Sequence, residues 1–147
     1  MAKSLLKLIS HLVYILFSKY IKVRSIMKIP NDKIPQCYKY AKQAYEGVIL
    51  PSDANQKIHV ELNINQRSAK DYYLYFRYLM TGEKPTWKLN NYTMEYFLSN
   101  ILKDYSDKEQ KEKTIINFTK LIEKYEGDNV GSQRGMRIIY EKYISTF

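Results

Sequence analysis

Asn65, Gln66, Arg67, Ser68 and Lys70 crowd one short run of the stretch Asn63–Gly82, NINQRSAKDYYLYFRYLMTG. Amides beside cations are the groups that read a DNA major groove. Arg or Lys donates to guanine O6 and N7, and Gln pairs with the adenine edge. At the start of a helix, Asn65 is the natural N-cap and leaves backbone N–H groups free near a phosphate. Gln66, Arg67 and Lys70 are then the candidate base readers. Arg77, Lys84 and Lys88 are candidate backbone contacts, which position rather than specify. The same cations also suit a helix face that is merely kept wet, and two-helix corners are common in all-α domains that bind no nucleic acid.

The rest of this stretch has a different character. Ala69, Tyr72, Tyr73, Phe76, Leu79 and Met80 recur at helical spacing on one side and are expected in the core. Arg67, Lys70, Asp71, Leu74, Arg77 and Tyr78 fall on the other side. Leu74 and Tyr78 are apolar on that outer face, which keeps a protein partner as a further reading.

A helix-turn-helix laid over Asn55–Asp71 puts Asn63 at the tight turn. The motif needs apolar residues where its helices touch, a turn residue tolerant of left-handed geometry, and a polar start to its second helix. Ile58 and Leu62 supply contacts from the first helix, Ile64 follows the turn, and Ala69 and Tyr72 face back from the second. Asn is the non-glycine residue best suited to the left-handed position. His59 departs from the pattern, because it stands where a small residue usually lets the two helices cross.

Other chemistry is sparse. His11, His59 and Cys37 are too few and too scattered for a zinc site. No glycine-rich phosphate loop and no G-x-S-x-G elbow occurs. Glu109-x-Lys111, with Asp104 and Asp107, faintly echoes the carboxylate-and-lysine sets of metal-dependent nucleases, but a solvated helix start accounts for it better. No catalysis and no cofactor are expected of this chain alone. Cys37, the only cysteine, cannot form an intrachain disulfide, so a reducing compartment such as the cytoplasm is expected, with the thiol at the edge of a core. Trp87, in EKPTWKLNNY between Lys84 and Lys88, is expected to plug the core between two helices; stacking on a base is the alternative.

The net charge is +9, but it is unevenly placed. Residues 1–28 carry Lys3, Lys7, Lys19, Lys22, Arg24 and Lys28 with no acid, which is +6. The remainder holds 18 basic and 15 acidic side chains, only +3. Binding of nucleic acid by the remainder must therefore rest on a local patch rather than on overall basicity.

Residues 5–26, LLKLISHLVYILFSKYIKVRSI, form a basic amphipathic arm. Leu5, Leu8, Ile9, Leu12, Leu16 and Val23 share one face; Lys3, Lys7, Ser10, His11, Ser18, Lys22 and Ser25 share the other, with Lys19 and Arg24 out of place. The charge-free run between Lys7 and Lys19 is 11 residues long, whereas a bilayer span needs roughly 20. Packing on the body or on a second copy, lying at a membrane surface, and serving as a leader or an extension upstream of Met27 all remain as readings.

From Pro30 onward helices are expected at Ile34–Glu46, from Pro51 to about Glu61, at Asn65–Met80, at Asn91–Tyr105, up to Glu126, and at Gln133–Ile144. Gly47, Gly82 and Gly127 are the stops. The run 58–64, IHVELNI, alternates like a strand, yet it has no partner run and is read as helix. Ser106-x-x-Glu109 has capping-box spacing, and Ser132 or a neighbour is expected to cap the last helix. The expectation is an arm over residues 1–28 and, over 29–147, a compact all-α bundle. The bundle has about five to six helices and contains a helix-turn-helix-like corner.

The runs SAKDYYLYFRYLMTGE, YTMEYFLSNILKDY and LIEKYEG, in that order, resemble an uncharacterised helical domain of bacterial proteins that also carry an HNH-type nuclease of restriction or modified-DNA-targeting character. The resemblance extends over roughly residues 34–145. It implies a DNA-targeting or specificity module, non-catalytic by itself, whose nuclease lies in another domain. Apart from the resemblance, the expected partners are double-stranded DNA, a nuclease partner or domain, and a second copy in a homodimer. This chain departs from that arrangement: no histidine pair or metal-binding set follows residue 127.

Overall fold

The computed structural model describes residues 2–26, 29–128 and 133–146. The chain divides into two units, Met1–Pro30 and Asn31–Phe147. The first holds one helix, α1 (Ala2–Ile26). The second begins with a 3-10 turn at Asn31–Lys33. It continues through α2 (Ile34–Tyr45), α3 (Pro51–Leu62), α4 (Gln66–Thr81), α5 (Asn91–Asp104), α6 (Lys108–Gly127) and α7 (Arg134–Ile144). No strand occurs among the described residues. The run 58–64 ends a helix rather than building a sheet.

The helix boundaries follow from local chemistry. Pro51 opens α3 and Pro35 stands in the first turn of α2, where the missing N–H would have had no partner anyway. Asn90 caps α5 by accepting from Thr93 N at 2.8 Å. The cap of α6 is Asp107, which accepts from Gln110 N at 3.0 Å, one residue later than the expected Ser106. The Gln110 side chain, three residues after the cap, donates from Nε2 to Met80 O at 3.1 Å on α4 instead of turning back to the cap. The expected cap at Ser132 lies outside the described residues.

Helix α4 runs through the middle of the second unit and packs against α2, α3 and α6. Tyr75, Phe76 and Leu79 are fully buried on it, and Phe97 of α5 is the hub that the two rings meet. Tyr75 lies 5.6 Å from the Phe97 ring, Phe76 6.4 Å and Tyr38 of α2 5.2 Å, the last edge-on. Aromatic rings prefer such tilted and edge contacts to face-to-face stacking. The far end of α4 is held by side-chain amides of α6: buried Asn117 donates to Leu79 O at 3.0 Å, beside the Gln110 contact. Gly82 closes the helix at φ 75°, where a Cβ would come within 2.8 Å of Asn117 Oδ1.

Two expectations about burial are overturned, and Tyr73, expected in the core, is only half-buried. Tyr78, assigned to the outer face of α4, is buried, because α6 covers that side and brings Glu123 near its hydroxyl. The apolar pair that kept a protein partner open there is thus reduced to half-buried Leu74. Trp87, expected as a core plug, is 80% exposed. Its neighbour Thr86 is buried instead, and Tyr125 of α6 donates to the Thr86 carbonyl at 2.9 Å. The loop is anchored by its backbone, so the indole is left outside. As the sole tryptophan, Trp87 should give red-shifted emission that acrylamide quenches freely in the native protein; a blue-shifted, protected emission would contradict its placement.

Helix α7 is fastened by two carboxylates. Glu126 of α6 accepts from the Arg137 guanidinium at 2.9 and 2.5 Å and from Gln133 N at 3.3 Å. Glu95 of α5 accepts from Lys142 at 2.6 Å and from the Tyr143 hydroxyl at 3.1 Å. The hydrogen bond from Lys142 does most to hold Glu95 below its ordinary value of 4.5. A depressed carboxylate favours the fold above its unfolded pKa and loses that contribution as pH falls through the folded value. Thermal stability should therefore drop on acidification below pH 4.5. Glu95→Gln should lower stability at neutral pH and flatten the drop. A melting profile with the same acid limb in both proteins would show that this ion pair carries none of it.

Candidate nucleic-acid interface

The α3–turn–α4 corner is built as the sequence spacing requires. Ile58 and Ala69 are fully buried, Ile64 and Tyr72 nearly so, and Leu62 is half-buried. Asn63 takes the left-handed conformation at φ 54°, ψ 42°. Asn65 caps α4 by accepting from Arg67 N at 2.8 Å. Ala54, also fully buried, provides a small residue on the α3 side. His59 has a role its bulk did not predict: its Nδ1 lies 2.7 Å from Ile64 O, so the ring bridges the turn. A carbonyl only accepts, hence Nδ1 carries the proton of this bond. Lys33 donates to Leu62 O at 2.6 Å and satisfies a terminal carbonyl of α3.

Above this braced turn lies a groove of about 510 Å³ lined by Ser52, Asn55 and Gln56 of α3 and by Gln66, Arg67 and Lys70 of α4. Its lining contains no carboxylate and two cations. The structure thus brings together the three candidate base readers and adds three neutral hydrogen-bonding side chains. Asn55 Oδ1 is buried without a hydrogen-bond partner among the described residues, so the groove holds an unsatisfied acceptor. Asp71, half-buried nearby, has its pKa raised because burial outweighs the attraction of Lys70 and Arg67.

The remaining candidates stand apart from this cluster. Arg77 is half-buried with its guanidinium 5.7 Å from the Tyr73 ring, and its Nε is buried without a partner among the described residues. Lys84, at φ 48°, and Lys88 lie beyond Gly82 in the loop of Trp87. Sixteen residues of α4 separate that loop from Asn65, about 24 Å at the helical rise. Arg77 shares the outer stripe of α4 with Lys70. Lys84 and Lys88 belong to its opposite end.

Ser52, Asn55 and Gln56 were not singled out from sequence. Their i, i+3, i+4 spacing marks one polar face of α3, but only the packing of the two helices turns that face toward Gln66. Cys37 is fully buried with its thiol pushed up to about 12 by burial, which makes it a packing residue. Among the described residues no group of three or more His, Cys, Asp or Glu side chains converges to hold a metal ion. Comparison of the chain with models of known families, with curated proteins and with solved structures returns no match.

The turn itself can be tested. Asn63→Val should destabilise the protein by about 1–2 kcal/mol, because a β-branched side chain resists the left-handed conformation. Asn63→Gly should be close to neutral. Equal melting temperatures for the Val and Gly variants would show that the left-handed turn is not a requirement.

Proposed function

We propose that the Asn31–Phe147 unit is a non-catalytic module that binds double-stranded DNA through the α3–turn–α4 corner. The observation that carries the reading is the carboxylate-free groove where Gln66, Arg67 and Lys70 meet Ser52, Asn55 and Gln56. In helix-turn-helix docking, the start of the second helix faces the base edges while the first helix crosses the backbone. Gln66, Arg67 and Lys70 accordingly read the major groove, and Ser52 and Gln56 donate to phosphate oxygens. The Asn65 cap holds the first turn of α4 in the orientation that this docking needs.

Arg77 contacts the backbone farther along the outer stripe, and Lys84 and Lys88 contact phosphates only on DNA long enough to pass the far end of α4. The unit carries only +3, so its affinity depends on these few cations. The similarity of SAKDYYLYFRYLMTGE and the following runs to HNH-associated helical domains supports a role in a restriction or defence system, with cleavage supplied by a partner or another domain.

Fluorescence anisotropy of the full chain on duplex DNA, measured across a salt series, tests the reading. Arg67→Glu with Lys70→Glu should abolish specific binding and reduce the salt dependence of what remains, because two cations that face the duplex become anions. Gln66→Ala should leave the slope alone and cost about 1–3 kcal/mol of discrimination between preferred and altered duplexes. If the double charge reversal leaves affinity and slope unchanged, the binding belongs to the basic arm and the proposal fails.

A further inference from the structure

Helix α1 is unlike every other helix of the chain in what it leaves uncovered. It is a 25-residue helix, and Leu5, Leu8, Leu12 and Leu16, on one face, are each more than half exposed. Leu6, Ile9, Val13 and Phe17 widen this face and are exposed as well. At 100° per residue these eight side chains take up about half of the helix circumference. Lys3, Lys7, Ser10 and His11 occupy the remaining arc, and all are exposed.

With these side chains exposed rather than packed, a second copy, duplex DNA and a lipid surface make different demands as occupants of the face. A second copy of α1 would bring a like-charged partner, since residues 1–28 hold six cations and no acid to pair with them. Coiled-coil pairing also favours a narrow a/d seam flanked by charges of both signs, rather than a broad sector. Duplex DNA would attract the cations but offers nothing to cover eight large apolar side chains. An anionic lipid surface meets both demands, with head groups opposite the lysines and acyl chains beneath the leucines. Crossing the bilayer is a separate matter: no described helix is long and apolar enough for it.

We propose that α1 binds in the plane of an anionic membrane surface, its Leu5–Leu8–Leu12–Leu16 face in the acyl boundary and Lys3 and Lys7 at the head groups. This does not rest on the DNA reading, because no residue of the α3–α4 groove takes part. The two together describe a DNA-binding module held at a membrane surface.

Co-sedimentation of the full chain with vesicles supplies the test. The protein should pellet with phosphatidylcholine vesicles containing phosphatidylglycerol, and about tenfold less with pure phosphatidylcholine at the same lipid concentration. Leu12→Glu with Leu16→Glu should abolish pelleting, while Lys3→Glu with Lys7→Glu should weaken it and reduce its salt sensitivity. Near-ultraviolet and far-ultraviolet circular dichroism of each variant checks that the Asn31–Phe147 unit is intact. Absence of pelleting at low salt overturns the proposal. So does pelleting that survives the Leu12 and Leu16 substitutions, since the body would then be the adhesive part. A dimer that these substitutions split, in a protein that ignores vesicles, assigns the face to a second copy and overturns it equally.

Discussion

Tyr75 is fully buried, and its hydroxyl tolerates that burial because the Met94 carbonyl accepts from it at 2.9 Å. A buried hydroxyl without a partner costs about 1–3 kcal/mol, so this single hydrogen bond sets how α4 and α5 must meet. Around it the rings of Phe97, Phe76, Tyr72 and Tyr38 close into one cluster shared by α2, α4 and α5. The tyrosines serve two purposes there. Their rings fill the core while their hydroxyls tie neighbouring elements, as Tyr38 does with Asp104 at 2.8 Å.

With its middle held in this way, α4 has two ends of opposite character. Its C-terminal carbonyls are taken by Gln110 and Asn117 of α6, and Gly82 turns the chain against Asn117. Its N-terminal turn is capped by Asn65 and presents exposed Gln66 and Arg67, while Ala69 alone turns into the core. One end is thus an anchor and the other is presented. The turn before it is stiff for a separate reason: Lys33 and His59 satisfy the carbonyls of Leu62 and Ile64, which an unbraced corner would leave to solvent. Pre-organised donors on a rigid corner lose little freedom on binding.

Charge and shape divide the molecule differently. Most of its net charge sits in residues 1–28, where it accompanies an exposed apolar face. The second unit is nearly balanced, and its cations count only where packing gathers them without carboxylates. Arg67 and Lys70 are gathered in that way. Asp71 limits the local potential, and burial makes its charge costly to hold.

Helix type, the left-handed turn at Asn63 and the Asn65 cap were all legible in the sequence, because each depends on a residue's own backbone preference or on neighbours within four positions. The inner face of α4 was legible only in part. Period alone placed Ala69, Tyr72, Phe76, Leu79 and Met80 correctly, but it assigned Tyr78 outward and overlooked Tyr75, because a helix enclosed by three others has no single inner side. The exposure of Trp87 depended on Tyr125 reaching the Thr86 backbone from 39 residues away, and the Gln110 side chain found its partner, Met80 O, 30 residues distant. The groove shows the same limit. Gln66, Arg67 and Lys70 could be read from one helix, whereas Ser52, Asn55 and Gln56 joined them only through the crossing of two. Local propensity acts through the chain, but a surface is made where segments remote in sequence meet, and that meeting is settled by what the core can close around.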